Sequence, residues 1–330
     1  MMETLEESEL CFPQLVNTSC RKTQHPHSVA LLAYFILSTI SVLTATLNLL
    51  VIVSISHYRQ LHTPTNLLLL SLAVSDFSVG LLMVFQILLL SGCWFFGDLV
   101  CAFYYVLDYT LTSASIGTMV LISIDRYVAV CYPLRYSTII TQRIVEICVC
   151  ICWLCSLIFH CVRLKENLKE LGRYNSCVGE CLIVFDYVAG LIDLVLSFLG
   201  PVTVIVVLYI RVFVVAVSQA RTMRTHIKTI TLQCSVGVTA MKSEMKAART
   251  LGVVVVVFII CVCPYFCVAL TGQETVLSLS TAAFIINLFY FNSCLNPLIY
   301  AFFYPWFRKT IKLIVTLQIL KPDSCEANVL

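Results

Sequence analysis

Four carboxylates, Asp76, Asp108, Asp125 and Asp193, fall inside stretches that otherwise look made for lipid. Ionisable groups at membrane depth are costly, and their default reading is functional. Asp108 interrupts "CAFYYVLDYTLTSASIGTMVLISIDRY", seven residues after Cys101 and eighteen before Arg126. At 1.5 Å per helical residue these separations are about 10 Å and 27 Å. Asp193, in "LIDLVLSFLGP", lies some two turns in from the outer end of its own stretch. Both acids are thus predicted in the outer third of the bundle, at a level where the sequence places no Lys or Arg inside any span. Two desolvated carboxylates without an internal cation repel each other. Either they bind protons, or a cation arrives from outside. One positive nitrogen satisfies one acid, and two satisfy both. Tyr104, Tyr105, Tyr109, Tyr265, Phe266 and Tyr290 are expected near this level, where rings add cation–π attraction and the Tyr290 hydroxyl can orient a carboxylate.

The other two acids suit different work. Asp76 is expected at the depth of Asn48, Ser115, Asn292, Ser293 and Asn296. Such oxygens either hold a cation and water around the carboxylate or form a hydrogen-bonded polar core that orients helices. Asp125 precedes Arg126 and Tyr127 at the inner end of the third span, on the side where Glu244 precedes the sixth. An Arg between two acids at a helix-end interface is a candidate ionic latch. The plainer alternative is interfacial anchoring.

The elements that must position these groups follow from composition. The chain has 330 residues, 60% hydrophobic and 12% charged, with mean hydropathy +0.94. Soluble domains carry about 25% charged residues. A net charge of +3 is too small to argue for nucleic acid. Seven stretches reach the roughly 20 apolar residues of a spanning helix, at about 30–56, 66–91, 100–124, 144–161, 184–215, 250–271 and 277–303. With the N-terminus outside, fifteen basic residues face inward and six, Arg163 among them, face outward. This is the positive-inside pattern. The expected architecture is an all-α membrane protein, a seven-helix transmembrane bundle with a short amphipathic C-terminal helix. Residues 1–29 form an outer tail, 30–303 the bundle, and 304–330 the amphipathic helix and inner tail. The tail lacks the basic and apolar regions of a cleaved signal peptide, so the first span serves as its own insertion signal. After Pro305, Phe307, Ile311 and Ile314 share one face and Arg308, Lys309 and Lys312 another, as in helices that lie on a membrane surface. Cys325 beyond it is a candidate for palmitoylation. Runs such as "CVCICWLC" read as buried thiols acting as small hydrophobes. Cys11, Cys20, Cys93, Cys101, Cys177 and Cys181 lie outside, where oxidation occurs. Asn17-Thr18-Ser19 is a glycosylation sequon on that side.

These residues carry a resemblance. Asn48, "LAVSD" ending at Asp76, Cys101, "DRY" (125–127), Trp153, Pro201 with Tyr209, "FIICVCP" (258–264) and "NPLIY" (296–300) resemble the rhodopsin-like (class A) G-protein-coupled receptor family over nearly the whole chain. "NSCLNPLIYAFFYPWFRKTIK", "CFPQLVNTSC" and "GCWFFGD" are similar to trace amine-associated receptors, in particular fish-like, diamine-type ones. The resemblance implies that Asp108 pairs with a ligand amine and that Asp193 is the second acid associated with diamines. Tyr109, Thr112, Tyr265, Phe266 and Tyr290 complete the implied ligand set. It also implies bridges Cys101–Cys181 and Cys20–Cys177. Separately from the resemblance, the oxygens around the second-span acid make Asp76, Ser115, Asn292 and Asn296 a candidate sodium site. No other cofactor is expected. Signalling through a stimulatory G protein to cyclic AMP, at the plasma membrane of olfactory neurons, is implied as well. Three departures from the family pattern stand out: Val262 and Asn287 where Trp is usual, and Leu47 where Gly is usual.

The expected mechanism is a diamine bridging Asp108 and Asp193. Helix six then swings about Pro264 and the Arg126–Glu244 latch opens. Tyr209 and Tyr300 hold the open state, with Asp125, Tyr127, Asn296 and Pro297 in the same switch. The alternatives are a monoamine receptor using Asp108 alone, a constitutively active or poorly coupled receptor because of Val262, and, more distantly, a seven-helix transporter. An enzyme is not expected, because no nucleophile–base pair or His-rich metal motif falls inside the spans.

Overall fold

The computed structural model describes residues 9–22, 27–183, 187–227, 250, 252–268, 279–321 and 324–329. Its long helices are α1 (His27–His57), α2 (Pro64–Leu90), α3 (Gly97–Cys131) and α4 (Gln142–Arg163). Then come α5, built from Tyr187–Asp193, a π-type segment Leu194–Leu199 and Gly200–Ile227, and α6 (Gly252–Val268). α7 (Leu279–Phe303) and α8 (Pro305–Val315) complete the set. Six are long and apolar enough to cross a membrane, and α6 is a shorter apolar helix within the described residues. α3 runs past its expected inner end to Cys131, so Asp125, Arg126 and Tyr127 are helical.

Local chemistry sets the helix ends. Thr63 caps α2 by accepting from the Asn66 N–H, with Pro64 at the first turn, and Thr141 caps α4 through the Ile144 N–H. Both use the side-chain oxygen that a free N-terminal N–H wants. Arg308 donates from Nη1 to the Ala301 and Phe302 carbonyls at 2.9 Å each, placing a cation where the end of α7 concentrates negative partial charge. On α8, Trp306, Phe307 and Thr310 are buried and Ile311 and Ile314 half-buried, while Arg308, Lys309 and Lys312 are exposed. The expected two-faced helix is present.

Two internal adjustments bear on the site. Pro297 in α7 has no N–H for the Ser293 carbonyl, a bond an α-helix would otherwise make. Asn48 of α1 donates its Nδ2 to that carbonyl at 3.0 Å, which ties α1 to α7 at the kink. Where α1 crosses α2, a Cβ on Gly80 would stand 2.9 Å from the Ala45 backbone nitrogen, and the Ser41 hydroxyl donates to the Gly80 carbonyl at 2.7 Å. This close approach rests on Gly80, while Leu47 is only half-buried nearby.

The end that the basic residues predict to be outer carries three disulfides. Cys101–Cys181 and Cys20–Cys177 form as expected, and Cys11–Cys93 is a third. The tail pairs its backbone with the second outer loop, Cys20 N–H to the Val178 carbonyl at 2.9 Å and Val178 N–H to Thr18 at 2.8 Å. Gly179, at φ +102°, passes against Phe12 and Cys11, a conformation that favours glycine. Asn17 is exposed on this cap. At the opposite end, residues 324–329 fold back on the first inner turn: His57 Nε2 meets Ser324 Oγ at 2.9 Å and Val329 is buried.

Candidate functional site

Asp108 sits on α3, half-buried. Among the described residues its one hydrogen bond is from the Tyr290 hydroxyl of α7, at 3.4 Å to Oδ1. Thr112 lies one turn further in on the same helix, half-buried. Tyr265 of α6 meets Phe289 at 4.8 Å between ring centroids, and Phe289 meets Tyr290 at 5.5 Å. Phe266 stacks flat on Phe198 of α5 at 4.1 Å. Helices three, five, six and seven thus bring the expected aromatics together around the Asp108 level.

Asp193 is placed differently from expectation. It has an internal cation: Arg163, the last residue of α4, reaches it with Nη1 at 3.2 Å from Oδ2. The two side chains are 8% and 15% exposed. The other carboxylate oxygen accepts from the Ser197 hydroxyl at 2.8 Å. The Arg163 guanidinium also lies over the Tyr109 ring, 4.8 Å from its centroid. Beside it His160, 1% exposed, stacks on Tyr109 at 5.7 Å and meets the Ser113 hydroxyl at 2.7 Å. The premise that this level holds no cation therefore fails. Arg163 counts as an outer-loop residue by position, yet its long side chain turns back over Tyr109 instead of out to water.

The π-type segment explains how Asp193 faces inward. Gly200 donates its N–H to Val195, five residues back, and Pro201 has no N–H to offer. A Cβ on Gly200 would stand 3.1 Å from that same Val195 carbonyl. π-bulges of this kind insert a residue and re-aim what precedes it.

At the inner end of α3, Arg126 is 3% and Asp125 1% exposed. Arg126 Nε donates to Asp125 Oδ2 at 2.9 Å and its Nη2 to Thr65 Oγ1 at 2.6 Å. Thr65 donates on to Asp125 at 3.0 Å, and the Tyr136 hydroxyl donates to Oδ1 at 2.8 Å. Burial first, and the Asp125 carboxylate second, push the Tyr136 phenol up to about 12, so it stays a donor. Glu244, the expected second half of the latch, lies outside the described residues. Tyr209 and Tyr300 present buried hydroxyls with no hydrogen-bond partner among the described residues. Tyr127 meets Tyr132 edge-on at 5.9 Å, and Pro264 falls within α6.

Deeper in, Asn296 Nδ2 donates to Asp76 Oδ2 at 2.8 Å. The Ser115 hydroxyl, expected on Asp76, donates to Ser75 at 2.8 Å. Asp76 Oδ1, Asn48 Oδ1, Asn292 Oδ1 and Asn296 Oδ1 are buried without partners among the described residues. An acidic oxygen among neutral amide oxygens is a donor set that suits a hard cation such as sodium.

On the tail side, a cleft of about 630 Å³ opens between the tail and the outer loops, lined by Phe12, Trp94, Phe95, Asp98 and Glu180 among others. None of the expected ligand residues lines it.

Seven apolar helices, a paired Asp-Arg at the inner end of the third and an open acid near its outer end define a polytopic membrane receptor. Residues 47–300 match the 7 transmembrane receptor (rhodopsin family). Trace amine-associated receptor 13c of Danio rerio is 40% identical over 98% of this chain and 96% of its own length. Trace amine-associated receptor 4 of Mus musculus is 36% identical over 98% and 95%, and trace amine-associated receptor 1 of the same species is 38% identical over 95% and 97%. The chain belongs to the rhodopsin family of seven-transmembrane receptors, in its trace amine-associated receptor group. Such receptors are not enzymes. Their partners are a small-molecule ligand and a heterotrimeric G protein, and their place is the membrane of the cell, crossed several times.

Proposed function

We propose that this receptor detects small biogenic amines through Asp108. The observation that carries the reading is the half-buried carboxylate of Asp108, held by one long hydrogen bond from Tyr290, whose ring meets Phe289 and through it Tyr265. An ammonium group there gains a charge partner and cation–π contacts. The names of the relatives point to the same ligand class. A second ammonium on Asp193, the diamine reading, requires Arg163 to give way, so its pairing with Asp193 favours the monoamine reading.

Ligand contact at Tyr265 and Phe266 biases α6, which turns about Pro264. Arg126 then leaves Asp125 and Thr65, and the unpartnered hydroxyls of Tyr209 and Tyr300 find partners in the opened inner cavity. Asn296 and Pro297 form the pivot in α7, and Glu244 completes the latch. A ligand drives this only by binding the two states unequally, and a near-complete shift takes about 5.5 kcal/mol. Where sodium binds, Asp76, Asn292 and Asn296 hold it, with Ser115 free to accept once it turns from Ser75. Coupling is to a stimulatory G protein and cyclic AMP, in olfactory neurons, with the tail outside and Asn17 glycosylated. Val262, buried where a larger ring is usual, sets the ligand-free signal, which a Val262→Trp comparison reads out.

The test is a cyclic AMP screen of amines against their N-acetylated analogues in transfected cells. Responses to amines that vanish on acetylation support the reading. Equal responses to both refute it, because the acetylated forms carry no positive charge.

A further inference from the structure

We propose that Arg163 is a tethered cation that occupies Asp193 and holds the ligand requirement of this pocket to one ammonium group, so that Arg163 determines specificity for monoamines over diamines. The proposal rests on the amine reading of Asp108.

The charge balance carries it. Asp108 has no cation among its described contacts, while Asp193 has Arg163 at 3.2 Å. The acid is also satisfied on its other oxygen by Ser197. The pair is well shielded from water, and a guanidinium in such a place is costly to strip from its partner. Three contacts hold Arg163 in register: the helix end it grows from, the Asp193 carboxylate, and the Tyr109 ring beneath its guanidinium. Tyr109 follows Asp108 directly in α3, so the tethered cation lies beside the ligand anchor, not at a remote surface. With Arg163 in place the two acids leave one uncompensated negative charge, the match for a monoamine. A diamine must either displace Arg163 or place its second ammonium next to a guanidinium, and like charges brought together at a binding site cost affinity. With Arg163 neutralised, both acids are open and the pocket matches two ammonium groups.

The experiment uses the full-length receptor in cells, with surface labelling, and compares a homologous series of n-alkylamines with the corresponding α,ω-diamines by cyclic AMP. The ratio of diamine to monoamine potency is the readout. Arg163→Gln should move this ratio toward diamines by about tenfold or more, the scale of one charge contact. Arg163→Lys, which keeps the charge, should retain the wild-type ratio. Arg163→Gln/Asp193→Asn, which leaves Asp108 as the one unpaired acid of the two and serves if the single variant fails to reach the surface, should lose the diamine gain and leave the wild-type ratio in place. An unchanged ratio in a well-expressed Arg163→Gln overturns the proposal. So does a selective loss of diamine potency in the double variant, which would mean that the natural ligand already uses Asp193. Asp108→Asn separates the two levels: if it spares the responses to both series, the amine reading itself has failed, whatever Arg163 does.

Discussion

Replacing Asp108 with Asn removes one charge and little else. The side chain keeps its size, and the Tyr290 hydroxyl at 3.4 Å still finds an oxygen to donate to. The bundle should therefore assemble, and the loss should fall on ligand binding. An ammonium about 4 Å from the carboxylate, at an effective dielectric of about 20, is worth roughly 4 kcal/mol. Stripping water from both charges cancels part of that. An asparagine oxygen retains a weaker hydrogen bond. What remains is about 2 to 4 kcal/mol, or a potency loss of roughly 30- to 700-fold. The assay is a cyclic AMP dose–response with receptor number fixed by surface labelling. A shift of less than about threefold at equal surface level, under 1 kcal/mol, would refute the idea that this carboxylate holds a cation.

Other outcomes follow from the same contacts. Tyr136→Phe deletes the 2.8 Å hydrogen bond to Asp125; a loss of about 1 kcal/mol should raise ligand-free cyclic AMP roughly fivefold, relative to surface receptor. Cys11→Ser and Cys93→Ser should each lower the thermal midpoint of ligand binding, on the scale of about 2–5 kcal/mol for a native disulfide, and the double variant should be no worse than either single one. Gly80→Val drives a side chain against the Ala45 backbone and should abolish surface expression, whereas Gly190→Ala, with nothing within 4 Å of the added carbon, should leave it unchanged.

The transmembrane helices were legible because lipid imposes one rule on every span, and the apolar runs map closely onto α1 to α7. Asp108 was legible for the same reason: depth along a helix is a matter of counting. Arg163 was not, because where a helix ends does not say which way a long side chain turns. Cys11–Cys93 was within reach. Six outer cysteines with two expected bridges leave these two over, and pairing them needs only arithmetic. The π-type segment in α5 left no trace in composition beyond Pro201, since α and π turns draw on the same residues. The return of the tail end to His57 and Gln60 was equally hidden, because it depends on contacts some 267 residues apart.

The extra residue accommodated between Leu194 and Leu199 has a consequence for descent as well as for shape. Each residue of an α-helix advances the phase by about 100°. Deleting the codon for Val195 or Leu196 would restore regular winding and turn Asp193 by about that angle relative to the inner part of α5, out of register with Arg163. The charge number of the site is thus set by helical phase as much as by residue identity. A lineage could gain or discard its second acid by a one-residue insertion or deletion, with the Asp193 letter itself unchanged.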